Sequence, residues 1–363
     1  MKQQRLLSLD ILRGITIAGM ILVNNPGSWG DIYAPLKHAD WNGLTPTDLI
    51  FPFFMFIMGI STYISLIKYK FEFSPSVLKK IVKRTCVIFL IGLGLNIFVH
   101  LWRWDFSIEN IRILGVMQRL AIAYGATSLI AIFVKHKYIP HIIAVTLLGY
   151  FIVLLSGNGF APDETNILAI VDQKLLGLNH MFVEYGLDPE GVLSTIPSIA
   201  HVLIGFYCGK ILMETKDNSQ RMLHLFIVGA SLALVGYLLS YGCPINKKIW
   251  SPTYVLVTCG MGASLLSLLI WVIDVKGHKT WCKPFEAFGV NPLFIYVLAG
   301  VLAIILEGTY VAASLSIKDY MYSVWFEPVL GNYAASLLYA LLFVSVTWVA
   351  GYVLYKKKIY VKI

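Results

Sequence analysis

Apolar residues recur along the chain in blocks of about 20, the length a helix needs to cross the hydrocarbon core of a bilayer. Candidate spans lie near residues 11–25, 46–67, 84–101, 113–134, 139–156, 193–213, 222–241, 252–273, 285–306 and 331–354. The gaps between them are too short for a soluble domain. The pattern therefore predicts an all-α, polytopic transmembrane helix bundle of about ten helices, with residues 1–363 as a single domain.

The polar residues between the blocks set the orientation. With the N-terminus inside, the inner segments collect 20 Lys and Arg residues, among them Lys2, Arg5, Lys68, Lys70, Lys79, Lys80, Lys83, Arg84, Lys276, Lys279, Lys283, Lys356, Lys357, Lys358 and Lys362. The outer segments hold 7 (Lys37, Arg103, Arg112, Lys174, Lys247, Lys248 and Lys318), and Arg13 and Arg119 lie within spans. Positive charge gathers on the cytoplasmic side of membrane proteins, so both termini are expected in the cytoplasm. The first apolar block has no small-residue cleavage site after it and reads as a retained helix.

Composition fits that solvent. Apolar residues make up 58% and charged residues 13%, with a mean hydropathy of +0.73; a soluble domain has roughly 45–50% and about 25%. The net charge of +9 is then accounted for by inner loops rather than by nucleic acid. Cys86, Cys208, Cys243, Cys259 and Cys282 are scattered without metal-ligand spacing. Neither a zinc site nor a disulfide framework is expected, and no metal.

Polar residues at membrane depth are costly and usually face a cavity or one another. Arg13, Asn24, Asp48, Asn96, Gln118, Arg119, His201 and Asn291 lie within spans or at their rims. Some of them, Asn96 and His201 in particular, have an alternative reading as ties between helices. Two outer segments, residues 26–45 and 157–192, exceed what a connector needs, and long loops are commonly functional. The first contains His38, Asp40, Trp41 and Asn42, then Thr45-Pro46-Thr47-Asp48 at the start of the second span. Thr45 with Asp48 three residues on resembles a capping box, and Pro46 suits a first helical position. Asp48 thus reads either as a cap or as a partner for His38. Histidine can take a proton from an amine near neutral pH, or carry an acyl group briefly. Either role suits an acyl transferase. No Gly-x-Ser-x-Gly, phosphate-binding Gly-rich loop or His-Glu-x-x-His competes with it.

These residues resemble the heparan-alpha-glucosaminide N-acetyltransferase family, bacterial members included, within the transmembrane acyltransferases. The likeness is carried in order by Arg5-Leu6-Leu7-Ser8-Leu9-Asp10-Ile11-Leu12-Arg13-Gly14, Val23-Asn24, the run from His38 to Thr45 and on through Asp48-Leu49-Ile50-Phe51-Pro52, and Arg112 to Leu120. It continues in Asp188-Pro189-Glu190-Gly191, Gly209-Lys210-Ile211-Leu212, Asn246-Lys247-Lys248-Ile249-Trp250-Ser251, Asp274-Val275-Lys276-Gly277 and Gly289-Val290-Asn291. The resemblance implies an enzyme of the bacterial inner membrane, multi-pass in the lipid bilayer, that moves acetyl from cytoplasmic acetyl-CoA to a glucosamine-like amino sugar on the periplasmic side. It implies His38 as the active-site residue, acting as base or acetyl carrier, with Asn24 beside it and Asp48 as orienting partner. Asp10, Arg13, Gln118, Arg119 and Asn291 become candidates for holding acetyl-CoA, and Asp40, Trp41, Asn42 and Glu190 for the acceptor. A homodimer is implied by analogy. The rival reading is an amino-sugar permease or binding protein without chemistry.

The charge count makes one direct prediction. A cysteine introduced at Lys37 should react with a membrane-impermeant thiol reagent in intact cells; labelling only after lysis would reverse the orientation.

Overall fold

A computed structural model describes residues 6–105, 107–312 and 315–361. The charged residues Lys2, Arg5 and Lys362 used above lie outside the described residues. The chain is helical nearly throughout: α1 (Leu7–Asn24), α2 (Ile50–Leu66), α3 (Pro75–Trp102), α4 (Val116–Phe133), α5 (Ile139–Ser156), α6 (Ile167–Leu176), α7 (Thr195–Glu214), α8 (Asn218–Leu239), α9 (Pro252–Leu269), α10 (Cys282–Val290) and α11 (Pro292–Gly308). A two-stranded antiparallel pair, β1 (Tyr310–Ala312) and β2 (Leu315–Ser316), then leads through the short α12 (Ile317–Tyr320) and α13 (Glu327–Leu330) to α14 (Asn332–Lys356). Among the described residues nine helices are long and apolar enough to span a membrane, or ten if one bent pair counts as a span. The expected polytopic bundle is therefore present.

Two spans differ from the hydropathy reading. The third begins at Pro75 rather than near residue 84, because Ser74 accepts the Val77 N–H at 3.3 Å and Pro75 suits the first turn. Lys79, Lys80 and Lys83 thus ride on the helix. The span expected at 285–306 is not one helix. It consists of α10 and α11, which meet at 84°. Pro292 lacks an N–H and pushes the residue before it out of the helical region, and Asn291 accordingly has φ −126° and ψ 53°.

The helices pack closely through small residues, as expected where lipid provides no hydrophobic drive for association. Along α7, Gly205-Phe206-Tyr207-Cys208-Gly209 is a small-xxx-small motif facing Gly59 of α2. A Cβ on Gly205 would lie 2.2 Å from the Phe56 carbonyl oxygen, and one on Gly59 2.2 Å from that of Val202. Backbone cannot yield as a flexible side chain can.

Connections sort into two ends. At one end the segments 26–45, 157–194 and 242–251 touch, with the Trp41 indole N–H donating to the Phe160 carbonyl (2.9 Å) and Asn246 Nδ2 to Asn42 Oδ1 (3.1 Å). At the other, the Tyr63 hydroxyl meets Glu214 (3.3 Å) and that of Tyr355 meets Glu286 (3.0 Å). The segments counted as outer and inner thus fall at opposite ends of the bundle.

Gly205→Val should leave little folded protein, with any that folds destabilised by at least about 3 kcal/mol, since overpacking already costs 1–3 where side chains alone must move. Size-exclusion profiles and thermal melts in detergent would show this; a parental melt would mean that the α2–α7 contact is looser than its geometry.

Candidate functional site

Asp48 sits at the entry to α2 and is fully buried. Its two carboxylate oxygens do different work. Oδ2 accepts the Ala39 N–H (3.0 Å), the Thr45 N–H (3.1 Å) and the Thr45 hydroxyl (3.0 Å), which fastens the loop to the helix start. Oδ1 accepts from His38 Nδ1 at 2.6 Å. The cap reading and the partner reading of Asp48 both hold, one on each oxygen. Because an ionised carboxylate can only accept, the Nδ1 proton stays between the two side chains and Nε2 is left with its lone pair. The imidazole is 44% exposed and so open to a substrate. Tyr254 of α9 fixes the same turn by donating its hydroxyl to the Asp48 main-chain oxygen at 2.6 Å.

The cation of the site comes from the far side of the sequence. Lys247 Nζ lies 3.0 and 3.4 Å from the His38 ring nitrogens Nδ1 and Nε2, and 3.5 Å from Asp48 Oδ1. Burial lowers the Lys247 amine from its ordinary value, against the opposing pull of Asp48 and Glu190. A cavity with about 530 Å³ of empty space adjoins this group, lined by His38, Lys247, Glu190, Asn24, Tyr296 and the apolar Met20, Ile50, Phe51 and Val116 among others.

A second cavity, about 710 Å³, lies on the same helices toward the opposite end. Its lining includes Arg13, Ser61, Arg84, Phe54, Leu120 and Leu293. Four helices serve both cavities: α1 with Asn24 and Arg13, α2 with Phe51 and Phe54, α4 with Val116 and Leu120, and α11 with Tyr296 and Leu293. Asn24 and Arg13 are separated by eleven positions, roughly 16 Å along a helix, while Phe51 and Phe54 are less than a turn apart.

Residues 5–241 match the family model described as Heparan-alpha-glucosaminide N-acetyltransferase, catalytic. The chain belongs to that family. It is 30% identical over 420 residues to the heparan-alpha-glucosaminide N-acetyltransferase of Mus musculus, covering 99% of this chain and 60% of the mouse protein. Identity to the protein of that name from Homo sapiens is also 30%, over 424 residues, with the same shares. The chain thus spans about 60% of the length of these curated relatives.

Against this family background the remaining candidates separate into groups. Arg13 lines the second cavity while donating to Asp10 (3.1 Å), Ser61 (3.0 Å) and the Gly289 carbonyl (3.2 Å). Asp10 is therefore placed behind Arg13. Gln118, Arg119 and Asn291 line neither cavity. Asn291 clasps the segment after α14, donating to the Ile359 carbonyl (2.8 Å) and accepting the Val361 N–H (2.9 Å). That segment folds back through a helix-ending turn with Lys358 at φ 56°, the Ile359 N–H bonding to Leu354 O and that of Lys358 to Tyr355 O. Trp41 and Asn42 hold loops together, Asp40 is exposed, and Glu190 reaches the His38 cavity.

Glu190 is held from several sides. Arg112 bonds Glu190 (2.7 Å) and, through two nitrogens, Asp188 (2.6 and 3.2 Å). Arg119 donates to the Pro189 carbonyl (2.7 Å) and to Ser194, beneath the face of Trp250. Asp172 of α6 accepts the Val192 N–H at 2.8 Å. Burial would raise the Glu190 carboxyl, but Arg112, Arg119 and Lys247 hold it below its ordinary value. It is a charged acceptor facing the cavity. Sequence reasoning placed Lys247 only as an outer-loop charge; its one signal was membership of the Asn246–Ser251 block.

Asp172 carries a pH prediction. Burial pushes its carboxyl up to about 6 from 3.8. A raised carboxyl favours the protonated fold, so its contribution is complete below pH 3.8 and is lost as pH rises through about 6. Asp172→Asn, which keeps an oxygen for the Val192 N–H, should melt higher than the parent above that range, by on the order of 2 kcal/mol, with no advantage at low pH. A melting difference that does not change with pH would leave Asp172 as a plain hydrogen-bond anchor.

Proposed function

We propose that this protein is a transmembrane acetyltransferase of the inner membrane of a bacterium. Acetyl-CoA enters the Arg13–Arg84 cavity from the cytoplasm, and the amine of a glucosamine-like sugar enters the His38 cavity from the periplasm. The observation that carries the reading is the pairing of two chemically opposite cavities on the same four helices. One offers guanidinium groups suited to phosphates, the other an imidazole held by a buried carboxylate.

Each residue then has a task that its geometry suits. Asp48 holds the Nδ1 proton of His38, so Nε2 can take a proton from the acceptor amine as it attacks the thioester carbonyl carbon. The Asp48 carboxylate also offsets the positive charge that forms on the ring, as the acidic partner of the histidine does in catalytic triads. Asn24, on the last turn of α1 and in the cavity wall, can donate its amide to the thioester carbonyl oxygen as charge develops there. Glu190 attracts the ammonium form of the acceptor, which loses one proton to solvent before the neutral amine attacks. The C–N bond forms, the C–S bond breaks, and the proton on Nε2 returns to the departing thiolate.

The test is thiol release from acetyl-CoA with glucosamine as trial acceptor. His38→Ala should lower the rate by about 10²–10⁴ with coenzyme A binding unchanged and only a modest fall in melting temperature, since the half-exposed imidazole packs little but gives the buried Asp48 one of its bonds. Asp48→Asn should lose both rate and stability, because one oxygen serves the histidine and the other the loop. A His38→Ala protein that turns over at the parental rate would remove the acetyltransferase reading from this loop and favour a permease.

A further inference from the structure

The Lys247 side chain is more than a charge near the base. Its amine lies 3.0 and 3.4 Å from the two nitrogens of His38 and lines the same cavity as Asn24 and Glu190. An acceptor amine needs a closely related placement, beside the group proposed to orient the carbonyl, and the 3.4 Å from Nζ to Nε2 has to close by only a few tenths of an ångström for proton transfer. Nδ1 already gives its proton to Asp48 at 2.6 Å, so Nε2 is the ring nitrogen able to take one from Lys247.

We propose that Lys247 is a self-acetylation site: with an acyl thioester in the cavity and no amino sugar present, the acetyl group passes to Lys247 Nζ. The inference rests on the acetyltransferase reading of the His38 cavity. The Nζ lone pair attacks the thioester carbonyl carbon, forming a C–N bond. The C–S bond breaks and the thiolate leaves. Nζ gives up its proton to His38 Nε2, which returns it to the thiolate, so the products are Nε-acetyl-lysine and a free thiol. No oxidant or further reactant is needed.

Two physical features favour the reaction at this lysine over its neighbours. Burial lowers the Lys247 amine and so raises the share of neutral, nucleophilic nitrogen. Lys248, next in the chain, instead pairs with Glu184 and sits over the Tyr185 ring, away from the imidazole. Acetylation would remove the cation 3.5 Å from Asp48 and place an amide in the cavity where the acceptor must bind. The modified protein is therefore a blocked one, and scarcity of acceptor would switch the enzyme off.

The experiment incubates the full chain in detergent with acetyl-CoA bearing a deuterated acetyl group, with and without glucosamine. Hydroxylamine treatment, which strips acetyl-imidazole and leaves amides, precedes peptide mass spectrometry. Without glucosamine, Lys247 should take up label in preference to Lys248 and Lys37, and His38→Ala should slow that labelling by about 10²-fold or more. Glucosamine should suppress the label while itself becoming acetylated. Preincubation with acetyl-CoA should slow later sugar acetylation in the parent but not in Lys247→Arg, which keeps a cation and resists acetylation. Lys247 unlabelled, or labelled no more than Lys248, in a sample that acetylates glucosamine would overturn the inference and leave the acetyltransferase reading standing. Labelling that persists in His38→Ala would overturn it as well, as chemical modification of a reactive amine. Failure to acetylate either lysine or sugar would remove the acetyltransferase reading itself.

Discussion

The loop from His38 to Asp48 is folded around one buried carboxylate. Taking a carboxylate out of water costs several kcal/mol unless hydrogen bonds and opposite charge replace the lost solvation. Here Ala39, Thr45, His38 and Lys247 supply that replacement, and Tyr254 secures the backbone that carries the group. The consequence is coupling. The bonds that begin α2 also orient the imidazole, so the His38 loop is tied directly to the helix it enters, although His38 itself is on an exposed turn.

The opposite wall is built by a comparable economy of charge. The stretch from Asp188 to Ser194 is buried or half-buried throughout yet has no regular structure before α7, so its polar groups need partners from elsewhere. Arg112, Arg119 and Asp172 grip it at five points, through Asp188, Pro189, Glu190, Val192 and Ser194. Arg119 leaves Nε and Nη1 without a hydrogen bond, and Asp172 leaves Oδ2 in the same condition. The indole face of Trp250 at 4.9 Å and the field of nearby carboxylates stabilise the buried guanidinium in their place. Such an arrangement trades full satisfaction of each group for a fixed Glu190 at the cavity.

Hydropathy showed the helices because lipid demands length and apolarity, and those survive averaging over a window. It could not show the break at Asn291–Pro292, since the flanking residues are apolar on both sides, though the Asn-Pro pair itself was in view. Nor does it weigh the glycines of α7, which matter through the volume they lack. The His38–Asp48 pair was legible because both partners lie within ten residues and beside a recognisable cap. Lys247 was not, because its contact spans 209 positions and depends on which outer loops meet. Arg119 shows the same limit from the other side: hydropathy placed it within a span, whereas its partners, Pro189 and Ser194, belong to a loop some 70 positions away.

The broken helix explains how one bundle can line two cavities of different chemistry. Had α10 and α11 continued straight, a single helix would have had to pack against α1 at Gly14 and Gly289, where a Cβ would meet backbone at 1.9 and 2.1 Å, and also stand off from α1 to leave the cavities open. The 84° turn separates these demands. α10 stays against α1, with Arg13 bonded to the Gly289 carbonyl, while α11 departs from the turn and gives Pro292 and Leu293 to one cavity and Tyr296 to the other. A turn of this kind exposes backbone and side-chain polar groups, and Asn291 answers both needs. Its carbonyl accepts the Ile295 N–H that opens α11, and its amide pairs with Ile359 and Val361, so the segment after α14 covers the corner. Asn291 therefore shapes the corner without lining the Arg13 cavity, one residue removed from the wall that Pro292 forms.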